Sequence, residues 1–368
     1  MAANIEESEI SLIDWAVNWL RERLPSSWEL RQVAEASGRS DGQLTLQARG
    51  FTASIAIEAR RSLTPKEAEN LLPRLAQVLR SMTGNAPVLI VAPWLSRRTQ
   101  EMLSEQQINY VDQTGNALIR LENPAVYIEA AGSLRNPNSK ARGKVRLRGL
   151  KAGRLIRTLV DVCPPYTVTD LAAATGLAPG YVSRAIEALD DEALIKREPR
   201  GPVEDVQVPA LLRRWASSYD VFKMNEVSTF IAPGGWEEVR NKLAADSRTE
   251  PKTVLTGSVA AARLAPVASP AMLLAYSPEP ARLARELGLL PAEEGANVTF
   301  LSPFDPVVWV RTSEDQGLTF AASSQVAVDC LTGNGRMPAE GEALLQWMVE
   351  NESAWRAVEL GALAKWPR

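Results

Sequence analysis

The stretch SIAIEARR, residues 54–61, sets an acidic and a basic side chain two positions apart in a pattern typical of a half-buried strand. Because side chains alternate across a strand, Glu58 and Arg60 should share one face with Ser54 and Ala56, opposite the isoleucines. A carboxylate placed there could help to hold a metal ion that cuts nucleic acid, but that chemistry calls for lysine where Arg60 stands. The simpler alternative is an ion pair between Glu58 and Arg60.

The chain contains no histidine and only two cysteines. It therefore lacks His-based triads, the His-Glu-x-x-His zinc motif and histidine general bases, and a structural zinc site is not expected. Cys163 and Cys330 have apolar sequence neighbours, which is typical of buried free thiols. We predict no metal and no other cofactor, so any enzyme here would have to use carboxylates, lysine, serine or tyrosine.

The length of 368 residues suits two or three domains. No run of about 18 apolar residues occurs, and the acidic start MAANIEESEISL lacks the basic region and apolar core of a signal peptide. We therefore predict a cytoplasmic protein without a membrane partner.

The apolar runs predict an α/β multidomain protein in three parts. Residues 1–136 have the order helix, two strands, helix, strand, helix, two strands, which favours a mixed sheet with helices on both faces. Residues 137–212 hold a linker and a compact helical module. Residues 213–368 hold strand-like runs, among them KTVLTGS, AMLLAYS, NVTFLS and PVVWVRT, followed by a helical stretch.

The segment 165–208 has the pattern of a winged helix-turn-helix. Thr167 can cap the first helix, with Asp170 at the reciprocal position, and Gly176 supplies the tight turn. Pro179 begins the second helix at a position where its missing N–H costs little. The segment KREPRGPVEDVQV then predicts a β-turn-β wing.

The second helix of this pattern would enter the major groove, where Arg184 could read a guanine edge. Residues 140–157, with eight Lys/Arg and no acid, would neutralise phosphates together with the wing. The alternative is a winged helix that makes only protein contacts. The predicted DNA-binding residues are Thr167, Thr169, Tyr181, Ser183 and Arg184 on the helices, Lys196, Arg197 and Arg200 on the wing, and Lys144, Arg146 and Arg148 in the basic block.

The later segments LTGSVAAARLAP and NVTFLS, with the stretch containing Gln325, Asp329 and Arg336, resemble the AbiEi-type antitoxin and transcriptional regulator family. The resemblance covers roughly residues 150–350 and implies a DNA-binding regulator with a C-terminal nucleotidyltransferase-like α/β domain. A working transferase follows its Gly-Ser with two metal-binding aspartates, whereas AMLLAYSPEP contains none. The resemblance therefore implies a scaffold, with Gln325, Asp329 and Arg336 as a structural polar network.

The N-terminal part resembles the PD-(D/E)XK nuclease core. That resemblance puts Asp41 and Glu58 at the metal positions and Arg60 at the position of the lysine. Arginine stays protonated and cannot act as a base, so a degenerate nuclease-like domain is expected, with Asp41, Glu58 and Arg60 as vestigial residues. The alternative is an unrelated α/β domain. The turn-like segments GRSDGQL and DQTGN are each compatible with a simple turn.

Together these observations predict a nucleoid-associated, sequence-specific regulator that binds double-stranded DNA, is not an enzyme, and acts as a homodimer on palindromic sites. Two alternatives remain open: a metal-dependent endonuclease targeted by its winged helix, and an antitoxin that neutralises a nucleotidyltransferase toxin.

Overall fold

The computed structural model describes residues 3–33, 41–48, 50–81, 87–137, 148–245 and 253–360. These residues divide into two compact units: one holds the described residues up to 137 together with 191–193, and the other holds 148–190 and the described residues from 194 onward. In the described ranges no helix is both long and apolar enough to cross a membrane. Both units combine helices with a mixed sheet, so the protein belongs to the α/β class, as predicted.

The first unit is built on one seven-stranded sheet whose strands lie in chain order. Strands β3, β4 and β5 run parallel, and the remaining neighbours pair antiparallel. Its elements are α1 (Ala3–Arg21), β1 (Glu29–Val33), β2 (Gly42–Ala48), β3 (Phe51–Ala59), α2 (Pro65–Ser81), β4 (Val88–Ala92), α3 (Arg97–Glu105), β5 (Asn109–Asp112), β6 (Ala117–Leu121) and β7 (Val126–Ala130).

Helices cover both faces of this sheet, as the sequence predicts. Val17 of α1 packs in one core with Ile57 of β3, and Leu103 of α3 packs in a second core with Ile90 of β4. Strand β1 is not predicted by the sequence. Four of its five side chains are exposed, so it lacks the alternation by which a half-buried strand is found.

The second unit contains a short hairpin and a second seven-stranded sheet. Its elements are α4 (Leu150–Asp161), α5 (Val168–Thr175), α6 (Pro179–Asp191), β8 (Ile195–Arg197), β9 (Val203–Val206), α7 (Val208–Ala216), α8 (Val221–Met224), β10 (Glu226–Ile231), α9 (Trp236–Ala245), β11 (Val254–Thr256), α10 (Gly257–Ala262), β12 (Leu273–Tyr276), α11 (Pro280–Leu287), β13 (Leu290–Pro291), β14 (Val298–Ser302), a 3₁₀ helix (Pro306–Trp309), β15 (Ser313–Asp315), β16 (Leu318–Phe320), α12 (Ser323–Leu331), α13 (Met337–Glu350) and α14 (Glu352–Trp355).

The large sheet of this unit has the order β13-β10-β14-β12-β11-β16-β15 and mixes parallel with antiparallel pairs. The runs KTVLTGS, AMLLAYS and NVTFLS supply its strands β11, β12 and β14, as predicted. PVVWVRT does not form a strand. Its first residues make the 3₁₀ helix, because Pro306 suits a helix start and the Asp305 carboxylate accepts a hydrogen bond from the Val307 N–H (3.0 Å).

We call residues 148–190 and 194–206 the helix–hairpin module. Its apolar side chains, such as Leu155 and Ile186, belong to the same continuous core as Phe300 of the large sheet and Leu344 of α13. The boundary predicted between residues 212 and 213 falls inside α7. The module and the large sheet therefore share a core within one compact unit.

Candidate nucleic-acid interface

The first helix of the predicted pair, α5, is fixed by its cap. The Thr167 hydroxyl accepts from the Asp170 N–H (3.2 Å), while the Asp170 carboxylate accepts from the Thr167 N–H (2.8 Å). This is the reciprocal box that the sequence predicts. At the other end Gly176 adopts a left-handed conformation (φ 66°), which ends α5 and directs the chain into α6. Thr167 thus serves a structural role, and Thr169 is exposed on α5.

The second helix, α6, has the two faces predicted for it. Val182, Ile186 and Leu189 are fully buried, while Ser183 and Arg184 are exposed on the opposite side. Tyr181 departs from the prediction, because its ring packs partly against the core and burial raises the pKa of its phenol. Part of that side chain therefore packs in the fold, and the exposed face of α6 centres on Arg184.

The hairpin β8-β9 follows α6, with a register irregularity between Lys196 and Arg197. Lys196 is exposed on β8. Arg197 is not available as predicted: its Nε lies 3.4 Å from the Asp190 carboxylate near the end of α6, and both side chains are largely buried. This ion pair joins the hairpin to α6 and corrects the assignment of Arg197 as a phosphate contact.

Part of the predicted basic block is buried inside the second unit. Arg157 is completely buried, and its Nε donates to the Asp161 carboxylate at 2.9 Å. Arg154 is mostly buried, with its Nε 3.9 Å from the Asp305 carboxylate. Arg148 is exposed at the start of α4, whereas Lys144 and Arg146 lie outside the described residues.

Exposed cations without a partner are nevertheless concentrated in the helix–hairpin module. Elsewhere in the second unit, ion pairs hold Arg213 to Glu342 (2.7 Å) and Lys223 to Asp220 (2.7 Å). In the module, five exposed cations have neither a hydrogen bond nor an ion pair from their side chains to any described residue: Arg148, Lys151, Arg184, Lys196 and Arg200. These charges remain available to bind an anionic partner.

The three vestigial residues of the first unit do come together. Arg60 follows β3 and donates through Nη1 to the Asp41 carboxylate at 3.2 Å, and through Nη2 to the Glu58 carboxylate. The same Asp41 oxygen also accepts from the Ala59 N–H (2.9 Å). The guanidinium thus bridges the two carboxylates that a metal would need. The described residues contain no group of three or more histidine, cysteine or acidic side chains placed to hold a metal ion.

The segment DQTGN forms the predicted turn between β5 and β6. The turn also contains a network of hydrogen bonds to a buried carboxylate, which the sequence does not predict. The Asp112 carboxylate is fully buried and accepts hydrogen bonds from Leu95, Thr114 and Asn116, three of them from backbone N–H groups at 2.9–3.1 Å. A Cβ at Gly132 would lie 2.3 Å from the Thr114 carbonyl oxygen, so only glycine fits beside this turn. Asp112 is therefore a structural residue.

A buried polar network lies in the second unit around Asp329. Its Oδ1 accepts from Tyr219 and Gln325 (both 2.8 Å), and its Oδ2 accepts from Thr256 (2.6 Å) and Tyr276 (2.8 Å). Burial raises the pKa of Asp329 to about 6, although the four donors act in the opposite direction. The sequence groups Gln325 and Asp329 in one polar network, but it does not predict their partners Tyr219 and Tyr276, which come from distant segments.

Gln325 extends this network to α4. Its Oε1 accepts from Arg157 Nη1 (3.1 Å), and the Ser324 hydroxyl donates to Asp161. Arg336, grouped with Gln325 and Asp329 in the sequence, lies elsewhere and only donates to the Ser269 carbonyl at 3.4 Å. That part of the predicted network is wrong, because Arg336 precedes α13 on the surface.

The Gly-Ser of LTGSVAAARLAP follows β11 directly. Gly257 has a left-handed conformation (φ 63°), and the Ser258 hydroxyl donates to the buried Glu340 carboxylate. Strand β12, where a transferase would carry its aspartates, reads LLAY and is entirely buried. Ser258 is therefore engaged with α13 and not with a pair of carboxylates.

No protein-family profile matches this chain, and neither a curated protein nor a solved structure shows significant similarity to it.

Proposed function

We propose that this protein is a sequence-specific DNA-binding transcriptional regulator of the AbiEi antitoxin type, and that its helix–hairpin module is a winged helix that binds duplex DNA. The single observation that carries the proposal is the group of unpartnered cations on this module, in a unit whose other surface cations include many in ion pairs. Lysines and arginines without internal partners can bind DNA phosphates and raise the affinity of the protein for DNA, and no contact within the fold is lost.

The order of elements suits recognition of the major groove. A helix pair joined by a tight turn presents the exposed face of its second helix to base edges, and Arg184 lies on that face of α6. A guanidinium there can donate two hydrogen bonds to one guanine. Lys196 on the hairpin and Arg148 before α4 would contact phosphates, which position the helix without reading sequence.

We assign the first unit a non-catalytic role. Arg60 forms ion pairs with both Asp41 and Glu58, so these carboxylates are engaged in the fold as it stands. A homodimer with one module on each half of a palindrome would double the contacts, and a cognate toxin is a further proposed partner of the AbiEi-like part.

Selection of bound fragments from random duplexes, followed by gel shifts with the full chain, tests this function. We expect one enriched motif. Arg184→Ala should weaken binding to that motif about 10- to 100-fold and relax its preference at one base pair. Arg285→Ala removes an exposed cation from α11 and serves as the matched control. Enrichment of no motif, or equal effects of both substitutions, would reject the proposal.

A further inference from the structure

Strand β7 (Val126–Ala130) lies at the end of the sheet in the first unit, and among the described strands only β6 pairs with it. The Arg120 N–H of β6 donates to the Asn109 side chain of β5 (2.8 Å), so it points away from β7. Tyr127 is opposite Arg120 in the register, and Glu129 lies two positions further on. Because antiparallel residues alternate between hydrogen-bonded and non-hydrogen-bonded pairs, the N–H and C=O groups of Tyr127 and Glu129 point away from β6. They form an open edge.

This edge is better suited to pairing than the other edges of the two sheets. Strand β13 has two residues and ends in Pro291, and β15 is the short polar run Ser313–Asp315. Strand β1 exposes the polar side chains of Glu29, Arg31 and Gln32. Short length, proline and charge are the features that keep edge strands from pairing. Strand β7 has five residues, contains no proline and carries a single charge.

The two faces of β7 differ in chemistry. Val126, Ile128 and Ala130 are half-buried against the core that contains α1, and they form an apolar row that the fold covers only in part. Tyr127 and Glu129 are exposed on the other face, where the Tyr127 hydroxyl donates to the Glu129 carboxylate (2.5 Å). A further strand along this edge would cover the apolar row and satisfy the outward backbone groups.

The side chains select one register for the pairing of β7 with a second copy of itself. An antiparallel pair centred on Ile128 places Tyr127 opposite the partner's Glu129, where the two residues can exchange backbone hydrogen bonds. A pair centred on Glu129 would place like charges directly opposite each other, which is destabilising. The Arg120 guanidinium lies 5.9 Å from the centre of the Tyr127 ring, so the first register also brings it toward the partner's Glu129.

We propose that two copies of this chain pair through β7 in antiparallel orientation, with Ile128 on the twofold axis, so that their seven-stranded sheets join. The role of this pairing in DNA binding rests on the proposed function, whereas the surface itself is argued from the first unit alone. The interface is self-complementary, as a twofold axis requires, because each Tyr127 meets the partner's Glu129.

Cysteine substitution in the full chain under mild oxidation tests the register. Ile128→Cys brings two thiols face to face, because Cα atoms of a non-hydrogen-bonded pair lie about 4.5 Å apart, which suits a disulfide. Val126→Cys is the matched control on the same row, since two such cysteines would lie at least about 13 Å apart. We expect Ile128→Cys to form a covalent dimer at least about tenfold faster than Val126→Cys. The wild-type chain, with Cys163 and Cys330, gives the background.

Proline substitution tests the backbone pairing. Tyr127→Pro removes an N–H that points away from β6, so it leaves the hydrogen bonds between β6 and β7 in place. Sedimentation equilibrium should show a dissociation constant about 10- to 100-fold above that of wild type, because each protomer loses one donor to the other. Tyr127→Ala keeps the N–H and should raise the constant less.

A wild-type chain that sediments as a monomer, or equal crosslinking of Ile128→Cys and Val126→Cys, would overturn the interface. The proposed function has a separate readout, because Arg184→Ala combined with Ile128→Cys should still crosslink while losing preference for the selected motif. Failure to crosslink with motif selection retained would reject the interface alone. Crosslinking without any enriched motif would reject the function and leave the pairing through β7 supported.

Discussion

Arg157 and Gln325 are 168 positions apart in sequence, yet they form a hydrogen bond (Nη1 to Oε1, 3.1 Å) in the interior of the second unit. Arg157 comes from a block that sequence alone assigns to DNA phosphates, and it is instead fully buried. Its guanidinium also donates to Asp161 (2.8 Å) and to the Val310 carbonyl (2.9 Å). A buried cation with this many partners fastens α4 to the α/β part of the unit.

Removal of this cation should therefore lower the stability of the folded protein. Arg157→Ala leaves the carboxylate of Asp161 and the amide of Gln325 buried with fewer partners, and we expect a loss of about 3–5 kcal/mol in the free energy of unfolding. Chemical denaturation of the full chain measures it. Arg148→Ala, from the exposed part of the same block, should change stability by less than about 0.5 kcal/mol. Similar losses of stability in the two variants would contradict the structural role assigned to Arg157.

The stability of the protein should depend on pH through Asp329. Burial raises the pKa of its carboxyl from 3.8 to about 6, so the folded protein holds this proton more tightly than the unfolded chain. The stabilisation that comes from protonating the Asp329 carboxyl is fully present below about pH 4. It is lost as the pH rises through about 6. The rise in the pKa of Asp329 from 3.8 to about 6 corresponds to about 3 kcal/mol in the free energy of unfolding.

Unfolding free energies of the wild-type chain and Asp329→Asn, measured between pH 4 and 7, check this dependence. The variant should lack the decrease assigned to Asp329, and it should be less stable at pH 4, where an amide N–H₂ faces the donors of Thr256 and Tyr276. An identical pH profile in both proteins would place the titration elsewhere.

The first unit should neither cleave DNA nor bind a divalent metal while Arg60 is present. Arg60→Ala leaves Asp41 and Glu58 without their shared cation, and we expect a loss of about 1 kcal/mol from these partly exposed groups. Added Mn²⁺ should then raise the thermal midpoint of the variant and not that of wild type. Plasmid cleavage by the wild-type chain with Mg²⁺ or Mn²⁺, abolished by Glu58→Ala, would refute the non-catalytic role.

Two adjacent basic residues of β8 should affect DNA binding differently. Lys196 is free to contact a phosphate, so Lys196→Ala should lower affinity for all duplexes and reduce the slope of log affinity against log salt by about 1. Arg197 is held by Asp190, so Arg197→Ala should leave that slope unchanged and weaken binding through displacement of the hairpin. Equal slopes for the two variants would mean that Arg197 contacts phosphate as well.

The sequence predicts the local features well and the distant ones poorly. The cap of Thr167 and Asp170, the inward face of α6 and the face shared by Glu58 and Arg60 all follow from short-range periodicity. The burial of Arg157 does not, because its partners Gln325 and Val310 are contributed by segments more than 150 positions away. A run of basic residues has the same appearance whether the helix that carries it lies on the surface or crosses an interior.

The core that the helix–hairpin module shares with the large sheet has a consequence for how this protein can be divided or recombined. A fragment ending at residue 212 would cut α7, expose Leu155 and its neighbours to water, and leave Arg157 without its distant partners. We therefore expect that the module cannot be transferred to another protein as a separate folding unit. A chimera that transfers its DNA specificity must exchange only the outward-facing residues of α6 and of the hairpin. The inward-facing residues must stay, because they pack in the core of the whole unit.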